Sequence, residues 1–146
     1  MSNHQTAKIA EQILIDLNQG FVIPTAKARK NLAMCFAATD KVIYGKAFDV
    51  VKRPEDLNLD DFSAVEKRLK EITLFEVKST NRPSVPDDFS GYFFSLSTAE
   101  LLVAQSLRDQ YKFALVNTLT RKHVEMRLQE LFAKAKRIYP TWSIRF

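Results

Sequence analysis

The sequence contains few of the residues that stabilise small secreted proteins or fill disordered ones. Cys35 is the only cysteine among 146 residues, which excludes an intramolecular disulfide and indicates a reducing compartment. Three glycines and five prolines argue against a low-complexity or loop-dominated chain. A length of 146 residues with 46% hydrophobic content is enough for one core, so we predict a single domain over residues 1–146.

Long apolar runs and reactive side chains are scarce as well. No stretch approaches membrane-spanning length, and residues 1–5 lack the basic start and apolar run of a signal peptide. We therefore expect no membrane partner and a cytoplasmic location. The neighbours of Cys35 are apolar, which indicates a small buried side chain rather than a catalytic thiol with an activating partner.

Positive charge is in modest excess. The net charge of +5 and the isoelectric point near 9.4 favour a polyanionic partner such as nucleic acid. A solvated helix face is the simpler explanation for any single basic residue, and Trp142 suits either stacking on a base or anchoring the last residues. The basic residues near the two ends of the chain are Lys27, Arg29, Lys30, Arg121, Lys122, Arg127, Lys134, Lys136 and Arg137.

The spacing of apolar residues predicts alternating helices and strands. Helices are predicted over residues 6–18, 59–69, 97–110 and 121–139, the third opened by a capping box of Ser97 and Glu100. Strands are predicted over residues 41–51, 72–78, 92–96 and 111–116, with short extended pieces at 21–24 and 142–146. Residues 25–39 fit helical spacing, with a strand over 32–38 as the alternative. This order predicts an α/β domain with a mixed sheet packed between helices.

The strand predicted over residues 72–78 ends on two charged side chains, Glu76 and Lys78. Residues i and i+2 of a strand point to the same face, so the carboxylate and the ammonium lie side by side. Charges at the end of a buried segment are costly unless they are paired or hold a metal. The arrangement suits metal-dependent attack on a phosphodiester, in which the carboxylate holds the cation and the lysine supports the developing charge. An exposed ion pair, worth about 0–1 kcal/mol, is the simpler alternative.

A second carboxylate supports the metal interpretation. Asp49 lies among aromatic and β-branched residues of the preceding predicted strand, where a lone aspartate is unfavourable. If the two strands pair, Asp49 and Glu76 converge on one metal. The long connection between the strands leaves Asp40, Asp60 and Asp61 as rival ligands, and its setting on a strand favours Asp49.

Asp49 followed by Glu76-Val77-Lys78, between a leading helix and a later helix–strand pair, resembles the PD-(D/E)XK nuclease superfamily. This superfamily has the restriction-endonuclease-like fold, with a core order of αβββαβ and a mixed central sheet flanked by helices. Residues 75–80, 94–100 and 111–116 are more specifically similar to the restriction-like nuclease domains related to the C-terminal domain of the plant protein NO VEIN. In those domains a Glu-Val-Lys strand precedes a serine, a helix-opening glutamate and a tyrosine-led strand. Phe48 departs from the pattern, because it stands where the superfamily has its proline.

The resemblance implies a role for each matching residue. Asp49, Glu76 and the backbone carbonyl of Val77 would bind Mg²⁺, with Mn²⁺ as a substitute, and Lys78 would orient the attacking water or steady the phosphorane. Glu11 matches an acidic residue that many members place on the first helix, although a solvated helix charge explains it equally well. Ser79 and Thr80 match phosphate contacts, but hydroxyls at a strand end often only cap a turn. Gln105 matches an active-site polar residue, but an exposed glutamine is the simpler explanation. Glu100 is better explained by helix capping than by catalysis.

The implied function is that of a metal-dependent DNA endonuclease in a restriction, defence or DNA-processing system. A homodimer is expected by analogy, because one active site cuts one strand, and a larger protein partner is compatible with the sequence. Two alternatives stay open. One is a catalytically inactive nucleic-acid-binding or protein-interaction module on the same fold. The other is a structural subunit in which Glu76 and Lys78 merely pair.

Overall fold

Within residues 2–146, which the computed structural model describes, a mixed sheet of five strands forms the centre of the molecule. The strands are β1 (Phe21–Val22), β2 (Val50–Lys52), β3 (Thr73–Thr80), β4 (Tyr111–Asn117) and β5 (Lys122–Met126). They are adjacent in chain order, with β3 and β4 parallel and every other pair antiparallel. The predicted α/β class with a mixed sheet is confirmed.

Helices cover both faces of the sheet. The α-helices within residues 2–146 are α1 (Asn3–Asp16), α2 (Ala26–Ala38), α3 (Phe62–Lys67), α4 (Thr98–Leu107) and α5 (Leu128–Lys134), with 3-10 turns at Leu69–Glu71 and Arg108–Gln110. Because successive strand residues point to opposite faces, β3 sends Phe75 to the core under α1 and Leu74 to the core that α2 to α5 share. None of these helices is long and apolar enough to cross a membrane.

Side-chain caps explain where the long helices begin. Thr25 accepts from the backbone N–H of Ala28 at the start of α2, and Ser97 does the same for Glu100 at the start of α4. In α2 the residues Leu32 and Phe36 face the core at helical spacing, so residues 25–39 are a helix and not a strand. The buried setting predicted for Cys35 is confirmed as well.

The strand predicted over residues 41–51 is wrong for most of its length, because only Val50–Lys52 pair with the sheet. The residues before Val50 form turns instead. Their carbonyls accept hydrogen bonds from side chains of α2 and β4, which satisfy the backbone in place of a neighbouring strand. Asp49 stands at the end of this loop, directly before β2.

Three further predictions differ from the structure. Residues 92–96 form a loop rather than a strand, and their apolar content packs on the core, with the rings of Tyr92 and Phe94 stacked 5.1 Å apart. Residues 121–139 divide into β5 and α5 rather than forming one helix. The helical spacing was misleading there, because a strand residue, Val124, and a helix residue, Leu128, reach the same core. Residues 142–146 form no edge strand.

Candidate active site

Asp49 lies where β2 begins to pair with β3. The antiparallel pairing starts at Val50, opposite Phe75, so Asp49 stands just before the ladder. Its N–H donates to the Phe75 carbonyl at 2.8 Å, which is one residue out of the register of the ladder. Regular strand alternation therefore does not set the direction of the Asp49 side chain, and its own contacts decide it.

A backbone contact fixes the side chain of Asp49. One carboxylate oxygen accepts from the backbone N–H of Val77, the residue after Glu76, at 2.8 Å. The Asp49 carboxylate lies close enough to Glu76 for its charge to add to burial in raising the pKa of that residue. Two neighbouring carboxyl groups favour a proton or a cation between them. The structure therefore brings together the two acidic residues that the sequence pattern paired.

Lys78 joins these carboxyl groups to the first turn of α4. Its ammonium nitrogen lies 2.7 Å from a carboxylate oxygen of Glu100 and 3.6 Å from one of Glu76. The three side chains expose only 11–16% of their surface, so this is not the exposed ion pair that the sequence also allowed. Asp49, Glu76, Lys78 and Glu100 are called the carboxylate–lysine cluster below.

Glu100 has a second function in the structure. It completes the capping box of α4, since it accepts from the Ser97 backbone N–H at 3.2 Å while the Ser97 hydroxyl accepts from the Glu100 N–H at 3.1 Å. The capping prediction is confirmed, but the contact with Lys78 was missed. The sequence held a signal for this contact. A helix that connects two parallel strands begins near the carboxyl end of the first strand, which is where Lys78 lies.

Burial and mutual repulsion shift the acidity of this region. Burial, followed by the charges of Asp49 and Glu100, raises the pKa of Glu76 to about 9. Burial likewise raises the pKa of Asp49, against the effect of a backbone hydrogen bond. On α1, burial and then the charge of Asp49 raise the pKa of Glu11. More carboxyl groups gather here than the adjacent cations neutralise, so added positive charge is favoured.

Arg29 of α2 and Tyr111 of β4 fix the loop that leads into Asp49. The guanidinium of Arg29 donates to the Phe48 carbonyl at 2.7 Å, and the Tyr111 hydroxyl donates to the Ala47 carbonyl. Burial, assisted by the nearby carboxylates, raises the pKa of Tyr111, so its hydroxyl remains a donor. Neither supporting residue was predicted, because each lies far from Asp49 in sequence.

The donor atoms suit a hard cation such as Mg²⁺. The N–H and C=O of one strand residue point to the same edge, so the Val77 carbonyl faces the side on which its N–H reaches Asp49. Across residues 2–146, no three side chains of His, Cys, Asp or Glu gather into a metal-binding group. Mg²⁺ does not require such a group, because it commonly binds one or two carboxylates together with water and substrate oxygens.

The rival aspartates lie outside the carboxylate–lysine cluster. Asp40 is exposed just after α2. Asp60 accepts from the Thr25 hydroxyl, and Asp61 caps α3 by accepting from the Ala64 backbone N–H. Each has a structural explanation of its own or free access to solvent, which leaves Asp49 as the partner of Glu76.

The remaining polar candidates follow their simpler explanations. The Thr80 hydroxyl accepts from the Arg82 backbone N–H at 3.3 Å, as a turn-capping group does. Ser79 follows Lys78 on β3 and therefore points to the opposite face of the sheet. Gln105 is exposed on α4. These three side chains do not contribute to the carboxylate–lysine cluster.

Comparison with known proteins gives no relative from which a function can be transferred. The chain matches no protein-family model, no curated protein and no solved structure. The functional conclusion therefore depends on the geometry and the charge of the carboxylate–lysine cluster.

Proposed function

We propose that the protein is a metal-dependent endonuclease that hydrolyses phosphodiester bonds in DNA. The observation that carries the proposal is the placement of the Asp49 carboxylate on the Val77 N–H, next to Glu76, whose carboxylate lies 3.6 Å from the buried ammonium of Lys78. Two carboxylates hold a divalent cation, and a fixed ammonium next to them neutralises the charge that develops on an attacked phosphate.

The connectivity supports a restriction-endonuclease-like core. With α2 and α3 taken as insertions, the order α1-β1-β2-β3-α4-β4 is αβββαβ. Strands β1 to β3 are consecutive antiparallel neighbours, and β4 joins β3 in parallel after the α4 crossover. Asp49 precedes the second strand of this core and Glu76-Val77-Lys78 lies in the third, in agreement with the resemblance to the PD-(D/E)XK superfamily.

Each residue of the cluster has a stated role in the proposal. Asp49, Glu76 and the Val77 carbonyl would hold Mg²⁺ or Mn²⁺, which when bound activates water and polarises the phosphate. Lys78 donates a hydrogen bond to the attacking water or to a phosphate oxygen. Glu100 keeps the ammonium of Lys78 in place for that contact.

The nature of the substrate rests on charge. A net charge of +5 favours a polyanion, and we propose DNA within a restriction, defence or DNA-processing system. Because one such site cuts one strand, a homodimer or a larger partner would be needed to cut both strands together.

Plasmid nicking tests the proposal. The wild type is incubated with Mg²⁺, with Mn²⁺ or with EDTA, beside Asp49→Asn, Lys78→Ala and the exposed-lysine control Lys70→Ala. We expect metal-dependent nicking by the wild type and the control, and a loss of about 100-fold or more in the two cluster variants. The asparagine retains an oxygen for the Val77 N–H, so Asp49→Asn should also fold normally.

The possible outcomes separate the functional classes. Nicking that persists in Lys78→Ala would contradict the assigned mechanism. If no cation supports cleavage and the protein still binds DNA in a salt-sensitive way, the protein is the inactive nucleic-acid-binding module instead. Calorimetric titration with Mn²⁺ gives a further measurement, because Asp49→Asn should lose the binding that the wild type shows.

A further inference from the structure

Residues 132–146 form an exposed segment with an unusual composition, called the basic–aromatic segment below. Every residue in it is exposed, and beyond Lys134 it contains neither helix nor strand. Large aromatic side chains face solvent, with Trp142 91% exposed and Tyr139 59% exposed. The segment carries four cations and no carboxylate side chain, and the cations are Lys134, Lys136, Arg137 and Arg145. Exposed apolar groups at this density mark a binding surface.

The basic–aromatic segment meets the loop that borders the carboxylate–lysine cluster. The ring of Tyr139 lies 6.5 Å from that of Phe93, centroid to centroid, and Phe93 is itself 76% exposed. The preceding residue, Tyr92, donates its hydroxyl to the Ser79 carbonyl at 2.9 Å. Ser79 directly follows Lys78 on β3. The aromatic surface thus begins one loop away from the proposed active site.

We propose that the basic–aromatic segment, together with Phe93, binds single-stranded nucleic acid. Aromatic rings supply platforms on which unpaired bases stack, and interleaved Lys and Arg side chains contact the phosphates. An intact duplex does not offer the faces of its bases, so a single strand is the favoured ligand. The inference rests on the proposed nuclease function where it says that the substrate has unpaired bases next to the carboxylate–lysine cluster. Binding of a single strand to the segment does not itself require the cluster.

The charge pattern favours a nucleic acid over other partners. The centres of protein–protein interfaces are depleted of lysine although arginine is enriched there, whereas this segment carries two lysines and two arginines within 15 residues and no carboxylate side chain. Peripheral membrane binding typically uses an amphipathic helix with an apolar face, and residues 135–146 are not helical. A flexible polyanion with aromatic bases complements both features of the segment.

The fluorescence of Trp142 tests binding directly, because Trp142 is the only tryptophan in the chain. The wild type is titrated in EDTA, which prevents cleavage, with oligo(dT), with oligo(U) and with a DNA duplex of the same length. We expect both single strands, or one of them, to quench Trp142 and to bind about tenfold or more tightly than the duplex. A plot of log affinity against log salt should have a slope of roughly −3 if all four cations contact phosphates.

Variants assign the binding to the segment. With a labelled oligonucleotide, Trp142→Ala should weaken binding about tenfold, whereas Trp142→Phe, which keeps a stacking ring, should bind nearly as the wild type does. The double change Lys136→Gln with Arg137→Gln should reduce the salt slope by about 1.4. Its control is Lys67→Gln with Lys70→Gln, two exposed lysines outside the segment, and this pair should leave the slope unchanged.

Several results would overturn the inference. They are the absence of quenching by either oligonucleotide, equal affinity for the duplex, normal binding by Trp142→Ala, and quenching by anionic lipid vesicles alone.

The two proposals fail separately. Oligonucleotide binding without cleavage under any cation removes the nuclease and leaves the strand-binding segment. Metal-dependent cleavage by the wild type, together with normal oligonucleotide binding by Trp142→Ala, removes the strand-binding segment and leaves the nuclease.

Discussion

The ammonium of Lys78 and the backbone N–H that opens α4 share one oxygen of Glu100, which lies 2.7 Å from the lysine nitrogen. A single carboxylate therefore connects β3 to the first turn of α4. The orientation of Lys78 depends on how that helix begins, because the same atom serves both the cap and the ion pair. The start of α4 thus belongs to the proposed active site as a positioning element.

Replacing Glu100 with glutamine tests this relationship. Glutamine keeps an oxygen for the cap but removes the charge that pairs with Lys78, so we expect DNA cleavage to fall about 10–100-fold. Removing the charge also removes one cause of the raised pKa of Glu76, so the pH profile of cleavage should move to lower pH. The control is Glu130→Gln, which alters the corresponding capping glutamate of α5 outside the cluster. An unchanged rate and pH profile in Glu100→Gln would show that Glu100 is only a cap.

The acidity of Glu76 predicts how stability depends on pH in the absence of metal. Its pKa is about 9 in the folded protein and near 4.5 without the fold. The folded state therefore holds the proton more tightly, and this contribution is complete below about pH 4.5 and is lost as the pH rises towards 9. We expect the wild type to lose about 1 kcal/mol per pH unit relative to Glu76→Gln between about pH 6 and pH 8.

Urea unfolding in EDTA at several pH values measures this loss. Glu71→Gln is the control, because Glu71 is exposed and its pKa is lowered by a hydrogen bond from Arg68, so it stays ionised over the whole interval. If the wild type and Glu76→Gln lose stability in parallel, Glu76 does not hold a proton at neutral pH. Added Mg²⁺ should reduce the difference, because a bound cation replaces that proton.

Arg29 offers a test of how the loop before β2 positions Asp49. Its guanidinium donates to the Phe48 carbonyl and also lies 4.8 Å from the centre of the Phe48 ring. We expect Arg29→Ala to lower the free energy of unfolding by about 2 kcal/mol, because hydrogen bonds from a charged group are lost. Cleavage should fall as well, since Asp49 is released. Lys30→Ala, on the exposed neighbouring residue, should change neither quantity, and equal effects of the two variants would contradict the role of Arg29.

The sequence was informative where local periodicity decides the structure. Glu76 and Lys78 were placed on one face because alternation along a strand fixes side-chain direction without reference to the rest of the chain. Asp49 was preferred over its rivals because of a predicted strand setting, and the structure places it instead in the loop directly before β2. Ser97 and Glu100 were recognised as a capping box because its residues lie within one helical turn.

The sequence was misleading where distant residues decide the structure. The loop before Asp49 resembled a strand, but Arg29 and Tyr111 bind its carbonyls from elements that lie far away in the chain. The contact between Lys78 and Glu100 spans 22 positions and requires the crossover from β3 to α4. Such contacts follow from the assembled fold, and apolar spacing does not encode them.

Gly20, between α1 and β1, provides a prediction about the fold itself. Its φ of +93° is unfavourable for any residue with a Cβ, and an added Cβ would lie 2.5 Å from the carbonyl oxygen of Arg53. The close approach is part of the pairing of β1 with β2, because the Arg53 N–H donates to the Gly20 carbonyl at 3.1 Å. The left-handed conformation costs alanine about 1–2 kcal/mol, and the clash adds to this cost.

We therefore expect Gly20→Ala to lower the free energy of unfolding by about 2 kcal/mol or more, as measured by urea unfolding. Gly45→Ala is the matched control, since Gly45 has no positive φ and no atom within 4 Å of the position of an added Cβ. There the substitution should be neutral or stabilising by about 0.4–1 kcal/mol, because alanine restricts the unfolded chain. Equal stability of the two variants would mean that the connection between α1 and β1 adjusts to admit a side chain. The close approach of Gly20 to Arg53 would then not be what fixes β1 against β2.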